Sequence, residues 1–196
     1  MKLKKMWIVC AAVLLMVLMP IVSFAEARPA TAAEMQEVRS TGKSKFEWEN
    51  EGPTWKLLYL LRNKTQWAYA AGWVQIGDNF YYFDAEGNMK EGWFQDSKGT
   101  WYFAIPDNLM RTNPDAGRIV TGWAKVGDNG GQKHYFYFTK DESGRPTGMF
   151  ASTSGENYAN KEIDGQTYLF NALGYCQSTP ADSSAVPVYN FTRGLV

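Results

Sequence analysis

Aromatic residues gather in short runs through the middle of the chain, and clusters of Gly, Asp and Asn separate them. The runs are Phe80-Tyr81-Tyr82-Phe83, Trp101-Tyr102-Phe103, Tyr135-Phe136-Tyr137-Phe138 and, more weakly, Thr167-Tyr168-Leu169-Phe170. Gly72-Trp73, Gly92-Trp93 and Gly122-Trp123 precede the first three, and Gly148-Met149 stands where a fourth such pair is expected. Runs of this length and composition, bounded by turn formers, read as strands. Gly77-Asp78-Asn79 and Gly127-Asp128-Asn129-Gly130 are residue types that accept positive φ, so they predict tight hairpins between each Gly-Trp strand and its aromatic strand. A second polar turn comes after each aromatic strand: Asp84-Ala85-Glu86-Gly87, the long loop from Pro106 to Gly117, Lys140 to Gly144, and Asn171-Ala172-Leu173-Gly174. The unit is strand, turn, strand, turn, and its recurrence marks a repeat architecture.

A lone two-stranded hairpin is marginal in water, whereas stacked hairpins bury their aromatic faces against each other. Alternation puts Phe80 and Tyr82 on one face of a strand and Tyr81 and Phe83 on the other, so one face builds a core while the other lines a groove between neighbours. The expected fold is all-β, a solenoid of stacked β-hairpin repeats over residues 46–176. Trp48, Trp55, Tyr59, Trp67 and Tyr69 precede the first Gly-Trp pair and predict a divergent N-terminal unit that caps the stack. Trp55 to Leu61 reads as a strand, with a short leucine-rich helix as the alternative.

The flanks differ in character. Lys2, Lys4 and Lys5 are followed by an uncharged run from Met6 to Ala25, and Ser23 and Ala25 are small enough for signal peptidase. Residues 1–25 therefore read as a signal peptide, with an uncleaved N-terminal anchor as the alternative. Residues 26–45 lack aromatics and read as a flexible spacer, and residues 177–196 as a loosely held C-terminal tail that docks one or two aromatics. The signal peptide makes the expected location secreted.

Charge and chemistry narrow the function. The whole chain balances 20 basic against 20 acidic residues; loss of the three signal lysines leaves a net charge of −3, which gives no electrostatic case for nucleic acid. Processing removes Cys10 and leaves Cys176 alone, read as a small packed hydrophobe because one thiol forms no internal disulfide. His134 has no ligand partner nearby in sequence, so no metal site is expected, and no cofactor. Asp78, Asp84, Glu86, Asp96, Asp128 and Asp141 all fall in turns, where Asp is favoured for local hydrogen bonding. No Gly-x-Ser-x-Gly, His-Glu-x-x-His or Cys/His pair is present, and the chain reads as a non-catalytic binder.

The stretch from Gly72 to Trp93 resembles the cell-wall-binding (choline-binding) repeats of Gram-positive bacteria, relatives of glucan-binding and clostridial toxin-tail repeats. The resemblance extends well to Trp123 and more weakly to Gly174. It implies binding of choline on teichoic or lipoteichoic acid through boxes of aromatic rings. Each box takes the Trp of Gly-Trp, the first aromatic of the following strand and a ring from the next hairpin. Carried over, one box joins Trp93, Trp101 and Tyr135, and a second joins Trp73, Phe80 and Tyr102; Trp123 supplies the third Gly-Trp ring.

This sequence has Phe80 where the family has Trp, and Tyr135, Met149 and Thr167 at later Trp positions. The insertion from Ile105 to Arg118 resembles longer units, which implies a glucan-like polysaccharide as the second ligand class. Tyr81, Phe83, Phe136 and Phe138 are read as core, and Trp93 and Trp101 as shared between core and box. A homodimer is a further expectation, and so is a second function class: a structural or adhesive surface protein that binds a protein partner.

Overall fold

The computed structural model describes residues 28–29, 46–51, 54–60, 67–107, 113–127, 132–153 and 156–190. The signal peptide, most of the spacer, the end of the tail and the turns at 62–64 and 128–130 lie outside these residues. Among the described residues every regular element is a strand.

A four-stranded sheet opens the fold, with β1 (Arg28–Pro29), β2 (Phe46–Glu51), β3 (Thr54–Leu60) and β4 (Trp67–Tyr69) in the order β1-β4-β3-β2. Trp55 thus lies in a strand and not in the helix that the leucines allowed; pairing with β2 from Trp55↔Asn50 to Tyr59↔Phe46 overrides helix propensity. Three two-stranded hairpins come next in kind: β5 (Gly72–Ile76) with β6 (Asn79–Phe83), β7 (Gly92–Gln95) with β8 (Trp101–Ala104), and β12 (Ala159–Ile163) with β13 (Gln166–Phe170). Between them β9 (Gly122–Gly127) pairs with β10 (Lys133–Lys140), which also carries β11 (Pro146–Met149). The last strand, β14 (Val188–Tyr189), runs parallel to β9.

Register shows what the repeats share. Gly72, Gly92 and Gly122 face Phe83, Ala104 and Phe138, and the next residue, always Trp, faces Tyr82, Phe103 and Tyr137. All three glycines have φ between 70° and 79°, a region that other residues enter at a cost of roughly 1–2 kcal/mol. The aromatic strand then meets a third short segment through Phe83↔Met89, Ala104↔Ile119, Phe138↔Met149 and Phe170↔Cys176. This corrects the expected fourth repeat. Gly148-Met149 closes the third unit, as Met89 closes the first, and the fourth unit starts at Ala159-Asn160, with Asn160 opposite Leu169 where the others carry Trp. Cys176 occupies the place of Met89, Ile119 and Met149.

The turns in these units are held by one recurrent hydrogen-bonded loop. Oδ1 of Asp84, Asp96, Asp141 and Asn171 accepts backbone N–H groups two and four residues on. A glycine at the fourth position, Gly87, Gly99, Gly144 or Gly174, supplies φ between 77° and 83°. These side chains are accounted for by turn geometry.

Both faces of β6, β8 and β10 are packed, while β13 leaves Leu169 exposed on one face. Tyr81 and Phe83 join Leu57, Ala68, Val74 and Met89, while Phe80 and Tyr82 turn to Phe94, Tyr102 and Ile119 of the next unit. Trp93, Phe103, Val126, Phe136 and Phe138 form the next cluster, and Trp123, Tyr137, Tyr168 and Phe170 the last. The segment after residue 176 docks more than the sequence implies: Lys125 N–H donates to the Pro187 carbonyl, Val186 is buried, and Tyr189 lies 5.3 Å from Phe103.

Candidate functional site: aromatic boxes between hairpins

The Trp of each first strand reaches forward to the next hairpin. Ring centroids lie 4.8 Å apart for Trp73 and Tyr102, 4.8 Å for Trp93 and Phe136, and 4.9 Å for Trp123 and Tyr168. Trp48 of β2 does the same toward Tyr81, at 5.4 Å. Its strand pairs as the Gly-Trp strands do, with Trp48 opposite Leu57 and Asn50 opposite Trp55, matching Trp73 opposite Tyr82 and Gln75 opposite Phe80. The four Trp residues thus stand at interfaces of one design, which differ in whether they are filled.

The interface at Trp93 is filled. Its ring is 8% exposed and packs on Phe103, Phe136 and Phe138 as well as Trp101, at 6.3 Å. Its Nε1 is buried with no partner. The third ring is Phe136 and not Tyr135, because alternation along β10 sends Phe136 and Phe138 to this side and Tyr135 elsewhere. Tyr135 sits beside Lys125, whose Nζ donates to its hydroxyl at 3.3 Å and lies 4.6 Å from the ring centre. Trp123 packs on Tyr137, Tyr168 and Phe170, and being half-buried it also lines a cavity of about 270 Å³ with Phe80, Arg118 and Pro146.

The interface at Trp73 is open. Trp73 and Phe80 line a cavity of about 360 Å³ with Val74, Gln75, Ser143 and Arg145, and Tyr102 packs edge-on against the Trp73 ring without lining it. The Arg145 guanidinium stands over the Trp73 ring, 5.9 Å from its centre. Tyr102 is 5% exposed; burial first, then the charge of Asp96 and a hydrogen bond to its Oδ2, push the phenol up to about 12.

The interface at Trp48 is open too, and the sequence assigns it only to a cap. Trp48, Trp55 and Tyr81 line a cavity of about 310 Å³ with Met89, Asp107, Asn113, Pro114 and Ala116. Trp48 is 38% exposed at the rim. Asp107 Oδ2 accepts the Trp55 Nε1 hydrogen at 3.1 Å, and the Asp107 N–H donates to Glu91 Oε2 at 2.9 Å. Burial and the neighbouring Asp107 charge push the Glu91 carboxyl up, against the pull of that N–H. A signal for this box is present in the sequence: Trp48 and Trp55 are seven residues apart, as are Trp73 and Phe80. Asp107 has no such signal.

Among the described residues no group of three or more His, Cys, Asp or Glu side chains is placed to hold a metal. His134 stacks on Tyr175 at 3.8 Å. No helix among them is long and apolar enough to cross a membrane.

Residues 71–89 and 91–104, which hold the first two Gly-Trp units, match the cell wall binding repeat of the choline-binding kind. No curated protein matches the chain. Among solved structures the chain is similar to CbpJ from Streptococcus pneumoniae, at 23% identity over 74% of this chain and 39% of that one, with a TM-score of 0.47. Choline binding protein F from Streptococcus pneumoniae, solved with a peptidoglycan analogue, gives 19% over 74% and 39%, with a TM-score of 0.46. The cell wall endolysin of phage Cp-1, complexed with choline, gives 18% over 74% and 41%, with a TM-score of 0.31. The chain thus spans about two fifths of the length of these proteins. The matched residues hold the first two Gly-Trp strands and the loop at Asp84, so the first two units of this chain match the cell wall binding repeat.

Proposed function

We propose that the protein is a secreted, non-catalytic module that attaches to the cell envelope by holding choline groups of teichoic or lipoteichoic acid in the open aromatic boxes. The stacked hairpins act as a solenoid that sets these boxes in series. The observation that carries this reading is the cavity of Trp48, Trp55 and Tyr81, three rings around a space of about 310 Å³ with a buried carboxylate in its wall. A quaternary ammonium donates no ordinary hydrogen bond, so ring faces hold it, each worth about 0.5–2 kcal/mol. One box then binds at about millimolar strength after association costs, and several on one polymer supply avidity.

Trp73, Phe80 and Tyr102 form the second candidate box, with Arg145 competing for its Trp face. Trp93, Trp101, Trp123 and Tyr135 take a supporting role, because their rings are engaged in packing or, for Tyr135, with Lys125. Homodimerisation belongs to the same reading: the last hairpin leaves Leu169 exposed, where an earlier unit would meet a successor.

Titration of tryptophan fluorescence with choline, and in parallel with a glucan oligosaccharide, tests the reading. Saturation by choline that Trp48→Ala abolishes supports it. Response to glucan alone moves the ligand to sugar, and silence to both leaves a protein-binding or adhesive role.

A further inference from the structure

We propose that Asp107 is the charge-selecting residue of the Trp48–Trp55–Tyr81 box, so that this box takes an organic cation and discriminates against a neutral molecule of the same shape. The inference rests on the reading of that cavity as a ligand site.

Asp107 comes from the insertion between Ile105 and Arg118 and is 7% exposed. Its carboxylate lines the cavity and accepts hydrogen bonds from Trp55 Nε1 at 3.1 Å and from the Asn113 N–H at 3.5 Å. Both donors are neutral, and among the described residues the ion pairs are Lys90 with Asp84 and Arg118 with Asp115, neither of which involves Asp107. A second carboxylate, Glu91, lies against its backbone. A buried carboxylate held only by neutral donors, next to another acid, is costly unless a positive charge joins it.

The rings beside it carry negative faces, which favour the same sign of guest. The bond from Trp55 Nε1 also fixes that ring relative to the carboxylate, so wall and charge form one rigid receptor. A quaternary ammonium gains ring contact and Coulomb attraction in a poorly screened space, whereas its carbon isostere gains apolar contact alone.

The test is calorimetric titration of the full chain with choline and with 3,3-dimethyl-1-butanol, its uncharged isostere, for the wild type, Asp107→Asn and Trp48→Ala. Wild type should bind choline about tenfold or more tightly than the alcohol. Asp107→Asn should lose about tenfold on choline and little on the alcohol, so the ratio collapses. Trp48→Ala should lose both ligands. Choline binding by Asp107→Asn with the wild-type ratio intact overturns the inference while leaving the box reading standing. Binding of neither ligand by the wild type overturns both. Should Asp107→Asn fail to fold, the wild type decides: equal affinity for the two ligands, or a choline affinity that Trp48→Ala leaves unchanged, overturns it.

Discussion

Trp93 of β7 meets Phe136 of β10 edge to face with ring centroids 4.8 Å apart, and 43 residues of chain separate them. This contact joins two hairpins that share no ladder, so the stack is held by rings and not by backbone pairing at that point. Trp48 occupies the matching position two units earlier but is 38% exposed. The two positions should therefore separate stability from binding.

Trp93→Ala removes a buried ring from the cluster of Phe103, Phe136 and Phe138, and should cost about 3–5 kcal/mol. Trp48→Ala should cost about 1–2 kcal/mol, since less area is lost from the interior. Thermal unfolding of both variants checks this, and an equal loss would mean that Trp48 belongs to the core.

Arg145 places a cation over the Trp73 ring, where a cationic ligand would compete with it. Arg145→Gln should raise the number of choline equivalents bound, or strengthen binding several-fold, with no fall in unfolding temperature, since the side chain is exposed. Calorimetry on the variant checks this; unchanged stoichiometry and affinity would show that the second box does not take choline.

The recurrent loops make a paired comparison possible. A Cβ on Gly99 meets open space, so Gly99→Ala should cost only the strain of φ +77°, about 1–2 kcal/mol. A Cβ on Gly87 would sit 2.7 Å from the Tyr69 Cβ, and Gly87→Ala should cost about 3 kcal/mol or more once this overlap is added. Denaturant midpoints of the two variants give the order.

Alkali should unfold the protein through its buried phenols. Tyr102 ionises near 12 in the folded chain against an ordinary value of 10.0, so the folded state binds its proton more tightly. That contribution is complete below pH 10, and is lost as pH rises from 10 toward 12. Tyr81, Tyr137 and Tyr189 are shifted in the same direction. Tyr102→Phe should flatten the decline of unfolding temperature over that window.

Acid acts with the opposite sign at Asp84. Burial alone would push its carboxyl up, but the Asn88 N–H at 2.8 Å and the Lys90 ammonium at 3.0 Å hold it below the ordinary 3.8. Its contribution is present above that value and lost as pH falls through the lower folded one. Asp84→Asn should reduce the acid dependence of stability below about pH 4, as followed by circular dichroism.

The sequence by itself determined the hairpins, because their signals are local. Glycine at positive φ before each Trp, the Asx loop with glycine at its fourth position, and strands rich in Tyr and Phe are all written within a few residues of where they act. The first strand of the fourth unit escaped because Ala159-Asn160 lacks the Gly-Trp mark and only its pairing with Phe170 and Leu169 reveals it. Which boxes stay open was decided by the tertiary structure alone. The aromatic strands of the first three Gly-Trp units carry rings on both faces, so periodicity cannot separate the packed Trp93 from the half-open Trp48. Asp107 reaches Trp55 across 52 residues and Arg145 reaches Trp73 from another unit, and side-chain charge meets an aromatic face at that separation only once the hairpins are stacked.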